Sequence, residues 1–363
     1  MPTGERYMSY LETSRQQAQA LREKEHVRIL ALETSCDETA AAVIEDGRRI
    51  LSNVVFSQID LHELYGGVVP EIASRAHMEA CDRVLEEALA QAGMSLQDAD
   101  ALAVTYGPRL VGALLTGVNC MKGLDFAAGK PLIPVNHIEG HVSANYLTHP
   151  DLEPPFLCLV VSGGHSHLVE VAGYGEYHLM GQTVDDAAGE AFDKAARVLG
   201  LPYPGGPRID ALAEEGNPHF LHLPHPKLEG KYDVSFSGVK TAFLNMVHGM
   251  EQRGEPLPKA DLAASFRFAV CDQLAEKTER LLRDRLSDGG TPVMALAGGV
   301  SANRELRRRM ESLCESLGVR LYMPRLDLCT DNGAMIGAAA YYQLLKGNTA
   351  GLELNAVPAL RFV

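Results

Sequence analysis

Two histidines four residues apart, His137 and His141 in Asn136-His137-Ile138-Glu139-Gly140-His141, form the pair in this chain best suited to hold a metal ion. The stretch follows the apolar run Leu132-Ile133-Pro134-Val135 and reads as the first turns of a helix with Asn136 as N-cap. Residues four apart on a helix lie about 40° apart around its axis, so both imidazoles can face one divalent ion. Glu139 is two positions from each histidine, roughly 200° round, and faces away. A zinc protease of the H-E-x-x-H kind has its glutamate directly after the first histidine; here that place is Ile138, which argues against a protease. Spacing alone is not decisive, because 13 histidines in 363 residues give about half such a pair by chance. The bland alternative is a helix with two solvent-facing or hydrogen-bonded histidines. Two imidazoles also leave the coordination incomplete, so a third ligand has to come from elsewhere.

Three turns share one character: Glu33 to Thr39, Ser162 to Ser166, and Gly298 to Asn303. Each follows the carboxyl end of an apolar strand, where open α/β sheets place their ligands. Ser162-Gly163-Gly164 and Gly298-Gly299 let backbone N–H groups approach an anion closely, since glycine lacks a Cβ. None is a P-loop, for no G-x-x-x-x-G-K-[ST] occurs. A single Gly-Gly pair is only a tight turn; three such turns, two in equivalent places, favour a nucleotide or adenylate. Asp185, Asp186, Glu190 and Asp193 crowd the start of an expected helix over Asp185 to Leu199. Two of them can cap that helix. Asp193, seven and eight residues on, shares the face of Asp186 and Asp185 and is a candidate for ribose hydroxyls. Tyr203-Pro204-Gly205-Gly206-Pro207 reads as a rigid turn before Asp210. Asp331, in Cys329-Thr330-Asp331-Asn332-Gly333, is the choice for third metal ligand, because the helix after it would return across a cleft to the first half.

The elements that must position these groups repeat. Val27 to Leu32 is a strand ending in Glu33-Thr34-Ser35-Cys36-Asp37-Glu38-Thr39, followed by a second strand, a turn at Asp46-Gly47 and a third. Phe156 to Val161 opens the same plan again, with Ser162 in the place of Ser35. Helices follow each opening, among them Glu71 to Gly93, Leu110 to Ala128 and Ser265 to Leu286. Strands alternating with helices mean an α/β protein, and a repeated opening implies two facing lobes with a cleft. A last helix, Asn332 to Lys346, carries Gly333, Gly337 and three consecutive alanines, small enough for close packing.

Bulk composition narrows the classes. Hydrophobic content of 46% and charged content of 22% are ordinary for a globular protein. A net charge of −14 and a sequence pI near 5.4 argue against autonomous binding to a polyanion. The nearest basic cluster is Arg304, Arg307, Arg308 and Arg309 on one helix, which also reads as a solvated face paired to glutamates. Seven scattered cysteines with no C-x-x-C pair read as reduced, mostly buried thiols of a cytoplasmic protein. Residues 1–26 read as a charged, partly helical extension with no apolar core of a secretory signal. His222 and His225, in the polar stretch His219 to Tyr232, read as loop residues rather than a second metal site.

Taken in order, E-T-S-C-D-E-T, V-V-P-E-I-A-S-R-A-H, N-H-I-E-G-H, V-S-G-G-H, D-D-A-A-G-E-A-F-D-K, Y-P-G-G-P, S-F-S-G-V-K-T, A-G-G-V-S-A-N and C-T-D-N-G-A-M resemble the bacterial TsaD (Gcp) family of tRNA threonylcarbamoyladenosine transferases. The resemblance covers about residues 27 to 350. It implies an actin/Hsp70-like (ASKHA) two-lobe fold: lobe I over 27–153 plus the C-terminal helix at about 332–350, and lobe II over 154–331. It implies one divalent ion, iron or zinc, on His137, His141 and Asp331. It further implies threonylcarbamoyl-AMP contacts at Val160, Val161, Ser162, Gly163, Gly164, Asp193, Gly206, Asp210 and Asn303. The implied reaction moves the threonylcarbamoyl group to N6 of the adenosine beside the anticodon of tRNAs reading ANN codons. The implied partners are a TsaB-like paralogue and a TsaE-like ATPase, for which the small-residue helix Leu110 to Ala128 is an expected docking surface. Gln182, Ser301 and the N-terminal extension depart from the family pattern. Two other classes compete: an ATP-dependent phosphotransferase or ATPase of the same fold, which needs no histidine-held metal, and a non-catalytic scaffold.

Overall fold

The structure, a computed structural model, describes residues 3–290 and 292–362; Met1 and Pro2 of the extension, Thr291 and Val363 lie outside the described residues. The extension forms helix α1 (Thr3–Leu21). The chain then folds as two compact units. Unit 1 comprises residues 1–60, 68–152 and 330–363, and unit 2 comprises residues 61–67 and 153–329.

Unit 1 opens with a meander of β1 (Arg28–Glu33), β2 (Glu38–Glu45) and β3 (Arg49–Ser57). After α2 (Ile59–Glu63), which runs from unit 1 into the short unit 2 segment 61–67, unit 1 resumes with α3 (Pro70–Gln91), β4 (Ala101–Gly107), α4 (Val111–Ala128), β5 (Leu132–Asn136) and α5 (His137–Thr148). Unit 2 opens with β6 (Phe156–Val161), β7 (Ser166–Gly173) and β8 (Glu176–Gln182). It continues through α6 (Ala188–Val198), α7 (Gly205–Leu212), α8 (Ser237–Gln252), α9 (Lys259–Ser287), β9 (Val293–Ala297), α10 (Arg304–Leu317) and β10 (Arg320–Tyr322). Helix α11 (Gly333–Lys346) returns the chain to unit 1.

Both sheets have the same plan. Their strand orders are β3-β2-β1-β4-β5 and β8-β7-β6-β9-β10. In each, the three opening strands pair antiparallel, and the two later strands add in parallel to the first. The first strands, β1 and β6, are thus central and buried on both faces, which is why they read as unbroken apolar runs rather than alternating ones. Ser35 and Ser162 both lie just past the ends of these central strands.

Helix α11 lies against β1 and β2 because its contact face has no bulk. A Cβ on Gly333 would sit 2.6 Å from the Ala41 carbonyl carbon, and one on Gly337 2.5 Å from Ile44 Cγ1. Likewise a Cβ on Gly140 of α5 would come within 2.7 Å of Ile336 on α11. These close approaches bring the segment before α11, which carries Asp331, to the start of α5. Unit 2 instead packs aromatic rings: Phe192 and Phe243 meet Phe266 at centroid separations of 5.7 and 4.9 Å, all fully buried. Each such ring contributes about 2–3 kcal/mol by burial.

Two expectations are corrected. The helix expected from Asp185 starts at Ala188, so Asp185 and Asp186 do not share a helical face with Asp193. Asp185 instead accepts hydrogen bonds from Ser235 Oγ and the N–H groups of Phe236 and Ser237, capping the start of α8. Thr183 Oγ1 donates to the Asp186 carbonyl, which keeps this segment a turn. Second, Tyr203 to Pro207 is not only a turn: Pro204 is the N-cap residue and Gly205 begins α7. The described residues include no helix long and apolar enough to cross a membrane, and all seven cysteines are free thiols, six of them buried.

Candidate metal centre and nucleotide turns

Helix α5 starts where its sequence places it. Asn136 Oδ1 accepts the Ile138 N–H at 2.9 Å, so the helix begins with His137 in its first turn and His141 one turn on. Their rings stand edge to face with centroids 4.7 Å apart. Asp331 Oδ1 lies 3.2 Å from His141 Nε2 and 3.5 Å from His137 Nε2. One ligand atom from each of the three residues falls within 4.8 Å of the other two, and all three residues are buried. Both Nε2 atoms are buried without a well-aligned hydrogen bond. Buried polar atoms left unpaired are costly, and two unpaired imidazole nitrogens that converge with a carboxylate oxygen are what a divalent ion would satisfy. The donor set fits such an ion. Glu139 is not part of it, since its Oε1 accepts from Gln343 Nε2 on α11 at 2.6 Å.

Behind His137 stands a network that the motifs alone did not assign. Nδ1 of His137 is 3.1 Å from Ser35 Oγ and 3.3 Å from Glu33 Oε2. Glu33 also accepts the Ser35 N–H and the Thr105 hydroxyl, each at 2.5 Å. Placing the imidazole proton on Nδ1 satisfies the carboxylate and leaves Nε2 with a free lone pair toward Asp331. Burial pushes the Glu33 pKa up, but His137 and these donors outweigh it and hold the carboxyl below its usual range. Burial acts on Asp331 in the same way, and His137, His141 and Arg109 together hold it well below the usual range. The His141 pKa is lowered, chiefly by burial, which keeps its ring neutral and able to ligate. Glu38 behaves oppositely: burial, Asp37 and Asp331 raise its pKa well above the ordinary value.

Arg109 is the least legible member. Its Nη2 donates to Asp331 Oδ2 at 3.3 Å from a backbone with φ of +137°. No sequence pattern signals this, because the contact depends on a backbone conformation rather than on spacing. Glu33 does leave a trace, as an acid ending the otherwise apolar strand Arg28–Glu33. His26, Glu45 and Asp46 also cluster, but Arg28 and Arg49 already neutralise Glu45 at 3.0 and 2.9 Å.

The nucleotide candidates all fall in unit 2. Val160 and Val161 are the buried end of β6, and Gly163 and Gly164 are exposed beyond buried Ser162. The turn is anchored at both sides: Ser162 N–H donates to His165 O at 2.8 Å, and Glu190 N–H at the start of α6 donates to Gly163 O at 3.1 Å. Gly298, at φ +86°, lets the next strand's turn approach; a Cβ there would lie 2.4 Å from Val161 O. Asp193 Oδ1 accepts the Gly205 N–H at 2.8 Å, tying α6 to the first turn of α7, where Gly206 lies. Asp210 pairs with Arg267 at 2.9 Å and accepts the Arg304 N–H at 3.2 Å. Asn303 Oδ1 caps α10 through Leu306 N–H. The structure therefore brings Asp210 and Asn303 together at the start of α10, and Asp193 and Gly206 at the start of α7.

The four arginines of α10 are engaged within unit 2. Arg309 bonds Glu305 and Asp272, Arg308 bonds Glu214 and Glu305, and Arg307 donates to the carbonyls of Ser301 and Pro324. Arg304 Nε lies 3.9 Å from Asp210.

Comparison with known proteins decides the family. The family model for TsaD, tRNA N6-adenosine threonylcarbamoyltransferase, matches residues 49–338. The tRNA N6-adenosine threonylcarbamoyltransferase of Clostridium perfringens is 54% identical over 334 residues, 92% of this chain and 97% of that protein. This chain belongs to that family. The Clostridium botulinum member is 52% identical over 339 residues, 93% of this chain and 98% of its own. Among solved structures, HypF of T. kodakarensis matches with a TM-score of 0.57 at 14% identity, over 88% of this chain and 48% of that one. Component A of the Acidaminococcus fermentans (R)-2-hydroxyglutaryl-CoA dehydratase matches with a TM-score of 0.53 at 15% identity, over 88% and 99%. At such identities these neighbours speak for fold alone, and the fold is the α/β actin-like (ASKHA) one. The family match spans the histidine pair, Asp331 and every nucleotide candidate in unit 2.

Proposed function

We propose that this chain transfers the threonylcarbamoyl group from threonylcarbamoyl-AMP to N6 of the adenosine beside the anticodon in tRNAs reading ANN codons. The observation that carries this reading is family membership across nearly the full length of relatives that bear that activity in their names. The donor set of His137, His141 and Asp331 supports a divalent ion, iron or zinc. When bound, that ion would supply Lewis-acid polarisation and a template for the threonylcarbamoyl group.

The remaining roles belong to the chain. Glu33 and Ser35 orient His137 and set its tautomer. Backbone N–H groups of Gly163 and Gly164, beyond the end of β6, hold the phosphate, with Ser162 tying the turn to His165 and Val160 and Val161 fixing the strand beneath them. Asp193, Gly206, Asp210 and Asn303 frame the adenosine portion. The exocyclic amine attacks the threonylcarbamoyl carbonyl, the bond from that carbon to the phosphate oxygen breaks, and the amine proton leaves with AMP. Positioning the two reactants supplies most of the acceleration in this scheme.

Attraction for tRNA is a separate matter. The net charge of −14 opposes it, and the arginines of α10 are largely committed to acids and carbonyls. This supports a cytoplasmic assembly in which a TsaB-like paralogue and a TsaE-like ATPase take part. The test is transfer to unmodified tRNA from threonylcarbamoyl-AMP, with and without those partners. Modified adenosine should form, and repeated turnover should need the partners. Sustained turnover by the isolated chain would remove the partner requirement. ATP hydrolysis or sugar phosphorylation with no transfer to tRNA would overturn the whole reading in favour of a phosphotransferase.

A further inference from the structure

The motif V-V-P-E-I-A-S-R-A-H ends in His77, which takes no part in the metal set, yet it is bonded to the turn beside that set, all within unit 1. His77, on α3, is fully buried. Its Nε2 donates to the Cys36 carbonyl at 3.0 Å. A carbonyl only accepts, so the ring proton is on Nε2. Nδ1 then accepts from the Thr39 hydroxyl at 2.8 Å and from Gln58 Nε2 at 3.2 Å. Gln58, also buried, adds its backbone N–H to the Asp37 carbonyl at 2.9 Å. The first half of the turn is anchored to α4 and its approach: Thr34 Oγ1 donates to Ala113 O at 2.9 Å, and Leu110 N–H donates to Ser35 O at 3.2 Å. The second half, Cys36 to Thr39, is held from His77 and Gln58.

We propose that His77 is a positioning residue that holds the Cys36–Thr39 half of the turn at the metal set, its effect on catalysis resting on the transferase reading above. This half needs holding. The Glu38 carboxyl is close enough to Asp37 and Asp331 to feel the charge of both, and like charges in a buried setting repel. Released, this half would swing away from Asp331 and pull on Ser35, whose Oγ stands 3.1 Å from His137 Nδ1. An apolar side chain of similar size would fill the space of the imidazole. It would also strip the Cys36 carbonyl and the Thr39 hydroxyl of this partner, a cost that buried polar groups do not recover. The imidazole instead joins the turn after β1 to the residue after β3 through its two nitrogens.

Cys36 reports the turn directly. Its thiol is buried, and that burial pushes its pKa well up, so alkylation requires the turn to open. The experiment labels the full chain with iodoacetamide, reads Cys36 by peptide mass spectrometry, and measures kcat and KM for transfer with the partners present. Four variants are compared with wild type: His77→Leu, His77→Gln, His77→Asn and Val84→Ala. The Gln amide reaches the place of Nε2, whereas the Asn amide reaches only that of Nδ1. Val84→Ala is a packing loss at a buried position of the same helix. His77→Leu should label Cys36 at least about tenfold faster, the weight of one buried hydrogen bond. Its kcat should fall on the order of 10–100-fold with KM nearly unchanged, since no substrate contact is lost. His77→Gln should restore most of both, and Val84→Ala should disturb neither. Should His77→Leu fail to fold, His77→Asn takes its place, because it drops the bond to Cys36 alone. Three results overturn the assignment: labelling or kcat unchanged in the variant that lacks this bond, equal effects in Val84→Ala, or no recovery in His77→Gln. No transfer by wild type with its partners would instead remove the transferase reading, while the labelling would still decide whether His77 holds the turn.

Discussion

Substituting Gly189 by alanine sets two opposite physical effects against each other, and the structure says which wins. Gly189 lies in the first turn of α6, and in a free helix the change to alanine stabilises by about 1 kcal/mol. In this chain the new Cβ would lie 2.7 Å from both Gly163 Cα and Ser162 O, and 2.9 Å from Gly163 N. All three are backbone atoms, and contacts shorter than 3.4 Å are tight even for well-packed Cβ atoms, so helix and turn must separate by about 0.7 Å. The turn cannot drift freely, because Ser162 is buried and bonded to His165. Overpacking of this kind costs roughly 1–3 kcal/mol, which cancels or exceeds the helical gain. The functional cost is larger: a misplacement near 1 Å lowers rates by about a hundredfold, so transfer should fall on the order of 10–100-fold. Adenylate affinity by calorimetry, thermal melting and metal content together test this. Affinity should drop while the metal set in unit 1 keeps its ion. A Gly189→Ala protein that melts higher than wild type and binds adenylate equally well would refute the claim that this turn is held against α6.

Three further outcomes follow from the site and its surroundings. Replacing both His137 and His141 by alanine should abolish metal binding by elemental analysis with the circular dichroism spectrum retained; unchanged metal content would place the ion elsewhere. Glu33→Gln should weaken metal affinity by about 10–100-fold, as loss of an orienting carboxylate behind a ligating histidine typically does; an unchanged metal dissociation constant would show that Glu33 does not orient His137. Burial lowers the His167 pKa from 6.5 to about 4, so between those values the unfolded chain binds a proton that the folded chain does not. Stability from this group is complete above pH 6.5 and lost as pH falls to 4, by about 3 kcal/mol. Urea unfolding at pH 7 and pH 4 should therefore show a smaller acid loss in His167→Leu, and equal losses would exclude His167 as a cause.

The parts of this protein that were legible in sequence are those whose geometry follows from local periodicity. An N-cap before two histidines four apart fixes a shared helical face, and the duplicated strand, turn and hairpin announce the two sheets. Helical spacing misplaces Asp185 and Asp186, because Asp185 caps a helix 50 residues further along. No local rule reveals that competition. Arg109 was invisible for a different reason: its reach to Asp331 depends on a backbone angle that its residue type argues against. In sequence Glu33 reads as part of a turn, whereas its role comes from Ser35, Thr105 and His137, which only the folded sheet brings together.

The discontinuity of unit 1 has a consequence for synthesis. Its sheet and both histidines belong to the first 152 residues, yet Asp331 and α11 come from the last segment, after the whole of residues 153–329. Asp331 is made about 190 residues after His141, roughly 10–40 s later at ordinary elongation rates. Throughout that interval the strip of β1 and β2 that Gly333 and Gly337 will cover is bare, and of the proposed ligand set only the two imidazoles have been made. Unit 2 meanwhile has almost all of its chain in one continuous run and can fold as it emerges. If His137, His141 and Asp331 hold an ion as proposed, its capture waits for Asp331, and a product that stops before residue 331 would lack the third ligand.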